Sequence, residues 1–263
     1  GALSFQDVSL RGSHVTLSLD GRLEPAMADL RAQLRIPDLA AADKRFSGSA
    51  AASVALRGPP RARGLEAGVT AENVRALGRA IERLAVTLVV ANPEAQPSGR
   101  FAVSGRIDGT PLDGRSEIAS DEGGVVSLDA IALRFGTADL AGRLRVEQGI
   151  TGQLDLSVPE LREFAALLPI KLAGRLQAGV RLSVGADGAQ RAALAATGST
   201  LSHDGIAVGE VKLDGEVRDP LGAPALKAEA VLRRLRAGGV EAATARIKAD
   251  GTAQDIAVAV ETA

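Results

Sequence analysis

Few residues in this chain are of types and spacings that could do bond chemistry. Its two histidines, His14 and His203, stand alone, with no Cys and no second His at metal-ligand spacing. His203-Asp204 precedes Gly205 and reads as a turn. Ser104-Gly105 would need a glycine at position 102 to form a nucleophile elbow, and Ala102 stands there. Gly185-Ala186-Asp187-Gly188 lacks the lysine and the helix of a phosphate loop and fits a hairpin turn instead. Asp121-Glu122 precedes Gly123-Gly124, so these carboxylates belong to a solvated turn. The absence of cysteine excludes thiolate chemistry and disulfides. No catalytic residue, metal or cofactor is expected, and the chain reads as a non-enzyme.

What remains is a surface, and its composition is unusual. Hydrophobic residues make up 46% of the chain and aromatics 2%, with five Phe and neither Trp nor Tyr. Apolar area therefore comes from Leu, Val, Ile and Ala rather than from rings. Compositional drift would account for that; so would a smooth lining along which aliphatic chains slide. A formal net charge of −1 provides no field for nucleic acid, and the stacking rings of a single-strand binder are missing. Arg233-Arg234-Arg236 is a local basic cluster that fits a solvated face.

The elements that carry this apolar surface alternate with period two, the signature of half-buried strands. Leu30, Leu34 and Ile36 form one run, Val54 and Leu56 another, and Val86 and Leu88 a third. Phe101, Val103 and Ile107 follow, with a turn at Asp108-Gly109. Val126-Leu128 and Ile131-Leu133-Phe135 read as two separate runs. Beyond them come Leu140 and Leu144, then Leu154 and Leu156. The series continues with Leu172, Leu176, Val180 and Leu182, and with Val211, Leu213 and Val217. These residues are the predicted lining of a groove, since alternation gives each strand a dry side and a wet side. Gly105, Gly142, Gly174 and Gly215 interrupt strands and are predicted to mark bulges or bends.

The chain also echoes itself. Leu34-Arg35-Ile36-Pro37-Asp38-Leu39 leads to Phe46-Ser47-Gly48, and Leu156-Ser157-Val158-Pro159-Glu160-Leu161 leads to Leu172-Ala173-Gly174. The two prolines lie 122 positions apart. The expected organisation is one continuous array over residues 1–263, with an internal repeat of roughly 20–140 and 141–263. Pro159 to Leu168 is the best helix candidate, and Pro37 to Lys44 a weaker copy. Thr70 to Leu84 has helical spacing, but its aligned copies favour two strands around a turn near Gly78. The predicted fold is mainly β: an elongated, curled sheet of about sixteen stacked strands with one or two short helices, ~75 Å long at the usual strand spacing. No apolar run approaches the ~20 residues of a spanning helix. The start at Gly1-Ala2, without an initiator Met, suggests a segment of a longer protein.

Two stretches resemble the large periplasmic TamB proteins of the AsmA-like group. One is Gly152-Gln153-Leu154-Asp155-Leu156-Ser157-Val158-Pro159-Glu160-Leu161 with Leu167-Leu168-Pro169 and Leu172-Ala173-Gly174-Arg175-Leu176; the other is Ala71-Glu72-Asn73-Val74 with Ile81-Glu82-Arg83-Leu84. The likeness spans most of the chain and rests on degenerate repeats. It implies a hydrophobic groove of the β-taco kind in the periplasm of a Gram-negative bacterium. The full-length protein would be anchored in the inner membrane and would meet TamA, an Omp85-class barrel, at the outer membrane. It further implies conduction of phospholipid between the membranes and support of outer-membrane protein assembly, with acyl chains in the groove. The residues leave two other readings open. One is a scaffold that takes up strands of outer-membrane proteins by β-augmentation. The other is a structural β-solenoid passenger, which the irregular strand lengths disfavour.

Overall fold

A computed structural model describes residues 2–76, 78–164, 172–220, 222–252 and 255–262. The chain divides into two compact units, Gly1–Phe135 and Gly136–Ala263. The first holds β1 (Leu3–Arg11), β2 (Thr16–Leu23), β3 (Ala28–Ile36), β4 (Ser47–Gly58), β5 (Gly64–Ala76), β6 (Arg79–Ala91), β7 (Ser98–Ile107), β8 (Thr110–Ser120) and β9 (Val126–Phe135). The second holds β10 (Ala138–Val146), β11 (Ile150–Val158), β12 (Ala173–Val184), β13 (Gln190–His203), β14 (Ile206–Arg218), β15 (Ala225–Ala237), β16 (Val240–Thr252) and β17 (Asp255–Thr262). The fold is mainly β, with 75% strand and 2% helix, so almost no helix is present among the described residues. Within each unit every strand pairs antiparallel with the next in the chain, giving a curled meander. Antiparallel neighbours joined by short connections differ from the parallel coils of a solenoid.

Turn chemistry fixes these registers. Asp108 (φ 48°) with Gly109 (φ 79°), and Asp204 (φ 43°) with Gly205 (φ 83°), are two-residue turns of the left-handed type that suits a twisted hairpin. Between β5 and β6, Gly78 (φ 77°) serves the turn read from the sequence, so 70–84 is strand rather than helix, Leu77 lying outside the described residues. The run 126–135 departs from expectation. It is one strand rather than two, because Ala130 (φ 49°) forms a bulge between Leu128 and Ile131.

The two short helices are of the 3-10 type where described, Leu39–Ala41 and Leu161–Phe164. Asp38 accepts the Ala40 N–H on Oδ1 at 3.0 Å, and the Ala42 N–H donates to Leu39 O at 3.1 Å. A link this short closes one tight turn and then has to return to the sheet. Residues 165–168 of the predicted second helix lie outside the described residues. Its start is tied to the sheet by Glu163, which accepts from the Thr137 amide (2.9 Å) and hydroxyl (3.0 Å).

The internal echo extends well beyond the proline segments. Asn73 and Thr200, 127 positions apart, both adopt φ of 52° in a bulge that lies opposite Gly48 in one unit and Gly174 in the other. Asn92 and Asp219, also 127 apart, donate their amides at 2.7 Å to Arg63 O and Gln190 O. Gln190 does more than its counterpart Arg63. Its side chain accepts from Ile150 N (2.8 Å) and donates to Ile150 O (2.6 Å) and Ser183 O (2.9 Å), stitching β11, β12 and β13 together. Gln190→Ala leaves these backbone groups without their side-chain partner. It is expected to cost about 1–3 kcal/mol, read as a lower urea midpoint by far-UV circular dichroism. An unchanged midpoint would show that water replaces the amide at no cost.

Candidate functional site: an apolar face in each unit

Directly paired residues of an antiparallel sheet share a face, so the registers sort every side chain. In the first unit one row runs across all nine strands as Leu10, Leu17, Leu34, Ala52, Val69, Val86, Val103, Gly114 and Leu133. A parallel row carries Val8, Leu19, Ala32, Val54, Ala67, Leu88 and Phe101. Rows on either side add Leu30, Leu56, Leu65 and Val90, and Ile36, Leu84, Leu112 and Phe135. Ile107 pairs with Ile81 just beyond them. Every groove residue predicted in this unit therefore sits on one face.

The second unit repeats the arrangement over eight strands. Leu140, Leu156, Ala178, Ala196, Leu213, Ala230, Ile247 and Val260 form one row. Leu154, Val180 and Leu194 lie in the next, and Leu144, Leu182, Val217 and Leu226 in the one beyond. On the other side Val158, Leu176, Val211 and Leu232 share a row through Gly198. Leu172 precedes β12 and packs with Leu156, Leu176 and Leu201 against the buried trio Ala138, Val158 and Leu161. Gly215 is corrected from a bulge to an ordinary ladder position, opposite Leu194 and Ala228 without a register shift.

The opposite faces are polar. Ion pairs such as Arg246–Glu229 (3.1 Å), Lys212–Asp214 (3.1 Å) and Arg191–Glu216 (3.6 Å) lie there, roughly half exposed, and each contributes about 0–1 kcal/mol. The basic cluster is paired too, Arg234 with Glu210 and Arg236 with Glu241, both at 2.8 Å. At the β12–β13 hairpin the Ala189 amide, with Arg218 and Arg191 nearby, holds the Asp187 carboxyl below the usual aspartate range. The polar face of the second unit also has a hollow of about 490 Å³, ringed by Asp139, Asp155, Gln177, Thr197, Lys212 and Asp214 over a floor of small residues. Among the described residues no group of three His, Asp or Glu side chains could hold a metal.

The apolar rows are more buried than the polar faces but are not sealed. Among the described residues the main close backbone neighbours are strands adjacent in the meander, plus the two 3-10 turns on β4 and β12. Among the described residues no large side chain is fully buried, and Val54, Val69 and Leu17 are 43%, 44% and 40% exposed in mid-sheet. Alanines report the difference between faces: Ala196 and Ala245 on the apolar side are buried, whereas Ala193 and Ala195 on the polar side are exposed. The total accessible area is 16,622 Å² for 26.8 kDa. Two separate compact globules of half that mass would expose about 13,000 Å² together, so the excess belongs to the units themselves.

Sequence reading missed some of the lining. In β5 and β13, Leu65, Val69, Leu194 and Ala196 sit among Gly, Ala, Ser and Thr. With Ala on both faces, period-two contrast fades; only pairing to Leu56, Val86, Val180 and Leu213 assigns them. Comparison with family models, curated proteins and solved structures finds no match to this chain.

Proposed function

We propose that the apolar face of each unit is a lining for aliphatic chains. On this reading the protein holds phospholipid acyl chains, and serves as a non-enzymatic part of a conduit between the inner and outer membranes that supports outer-membrane protein assembly. The observation that supports it is the set of mostly aliphatic rows that cross every strand of a unit and stay partly open to solvent. An exposed apolar surface of this extent on a folded protein marks an interaction site. Aliphatic rows without polar handles bind by area alone. Ten methylenes in contact would contribute about 8 kcal/mol before the entropy of association. Because successive rows are chemically alike, a chain moving across them exchanges one set of contacts for a similar one. The periplasm and the TamA-class partner enter through the resemblance to TamB proteins. The test is native mass spectrometry of protein purified from a Gram-negative host, with uptake of pyrene-labelled phospholipid from vesicles. Bound phospholipid and saturable uptake are expected; lipid-free protein that extracts none would remove the reading.

A further inference from the structure

At one end of the first unit's apolar face Ala28 and Val90 are buried, whereas Val54 and Val69 stand open in mid-sheet. Two connections meet at that end, 59–63 before β5 and 92–97 after β6. The Arg63 side chain, only 10% exposed, ion-pairs with the half-exposed Glu94 and clasps them together. Arg63 and Asn92 carry the ladder one step further, since the Asn92 N–H donates to Arg63 O at 2.7 Å. They lie two positions beyond the lining residues Leu65 and Val90, a parity that sets them on the apolar side. Ser120 lies two positions beyond Ile118, which shares the Val90 row through Gly99. Three polar atoms at this end are buried and have no partner among the described residues: Arg63 Nε, Asn92 Oδ1 and Ser120 Oγ. An idle buried donor or acceptor costs stability, and folded proteins keep few of them. The second unit shows that the fold does not require them. At the place of Arg63 its Gln190 spends the side-chain amide on Ile150 and Ser183. Charge is already matched here, Arg63 against Glu94. A donor, an amide oxygen and a hydroxyl beside aliphatic rows therefore suit an uncharged polar head on an aliphatic tail.

We propose that this end of the face is a head site for an uncharged amphiphile of the glyceryl-ester class, whose tail lies along the first unit's rows. Arg63 Nε–H donates to the ester carbonyl, and Asn92 Oδ1 and Ser120 Oγ take the hydroxyls. Asn92 and Ser120 are separated by β7, about 10 Å between backbones, a gap that their side chains narrow to the length of such a head. The clasped connections part to admit it. The proposal rests on the aliphatic-lining reading and deepens it: the rows accept any chain, while this end selects the head. The test is nuclear magnetic resonance of the whole chain, titrated below micelle formation with monodecanoylglycerol, decyl phosphate and glycerol. Leu and Val methyl signals read the lining. The Arg63 Nε–H signal, assigned by its loss in Arg63→Lys, reads the head.

Monodecanoylglycerol is expected to move the Arg63 Nε–H signal and to bind about fivefold more tightly than decyl phosphate, the worth of one neutral hydrogen bond. Ser120→Ala should act in two opposite directions. It removes an idle buried hydroxyl, so the urea midpoint of the free protein rises; it also removes a ligand contact, so monodecanoylglycerol binds about fivefold more weakly. A lower midpoint would show that the hydroxyl is already satisfied, and an unchanged affinity that it touches no ligand; either result overturns the site. So would methyl shifts beside an unmoved Arg63 signal, equal affinity for decyl phosphate, or a response to glycerol alone at the same concentrations. Silence of the methyl signals to both amphiphiles would instead remove the aliphatic-lining reading, and this proposal with it.

Discussion

Gly174→Val is expected to destabilise the second unit by about 3 kcal/mol, combining left-handed backbone strain with overpacking against main chain. Gly174 has φ of 118°, and a Cβ there would meet Thr200 O at 2.7 Å, Ser199 O at 2.8 Å and Leu201 Cα at 2.9 Å. None of those atoms is the end of a flexible side chain. Gly48 faces Asn73 and Glu72 main chain in the same way at φ of 93°, so Gly48→Val should do comparable damage in the first unit. Gly215→Ala is the control. Gly215 has no left-handed φ, and its nearest atom is the Ala228 Cβ at 3.3 Å, so the loss should stay near 1 kcal/mol or below. Urea unfolding with peptide-resolved hydrogen exchange separates the units. A Gly174→Val protein as stable as Gly215→Ala would refute the bulge account.

Leu161→Ala is expected to cost about 2–4 kcal/mol, because it empties a buried site. Leu161 is 4% exposed and forms the buried trio with Ala138 and Val158, against which Leu156, Leu172, Leu176 and Leu201 pack. Its counterpart Leu39 follows the matching proline and acid, yet its turn buries no residue. Leu39→Ala should therefore lose less than about 1.5 kcal/mol, in line with a half-exposed aliphatic side chain. Faster exchange in β10 to β13 for Leu161→Ala, with the first unit unaffected, is the expected pattern. Equal costs at the two leucines would mean that the turns pack alike. The repeat would then conserve packing as well as chain path.

Much of this was legible before coordinates. Alternation such as Val86-Leu88 and Leu154-Leu156 needs only the period of a strand, and a turn such as Asp108-Gly109 announces itself through the conformations its residues tolerate. Legibility failed where contrast failed. The β13 strand reads poorly because Ala192 and Ala196 face one way and Ala193 and Ala195 the other. The proline segments looked like helices because Leu161, Phe164, Leu167 and Leu168 have helical spacing, while the tie that shapes the first turn, Glu163 to Thr137, is 26 residues away.

The amino-acid order by itself determined that this is a β protein with one oily and one wet side to each strand, since side-chain direction in a strand is set by position parity alone. It also determined the doubling of the chain, because equal turns need equal residues. Strand pairing settled that the oily sides join into rows that stay partly open to solvent, and that one proline turn buries its leucine while the other does not. Register, bulge position and cover depend on which strands meet, and those meetings link residues tens of positions apart. Local pattern records what each strand can offer a neighbour, but the free energy of pairing chooses the neighbour.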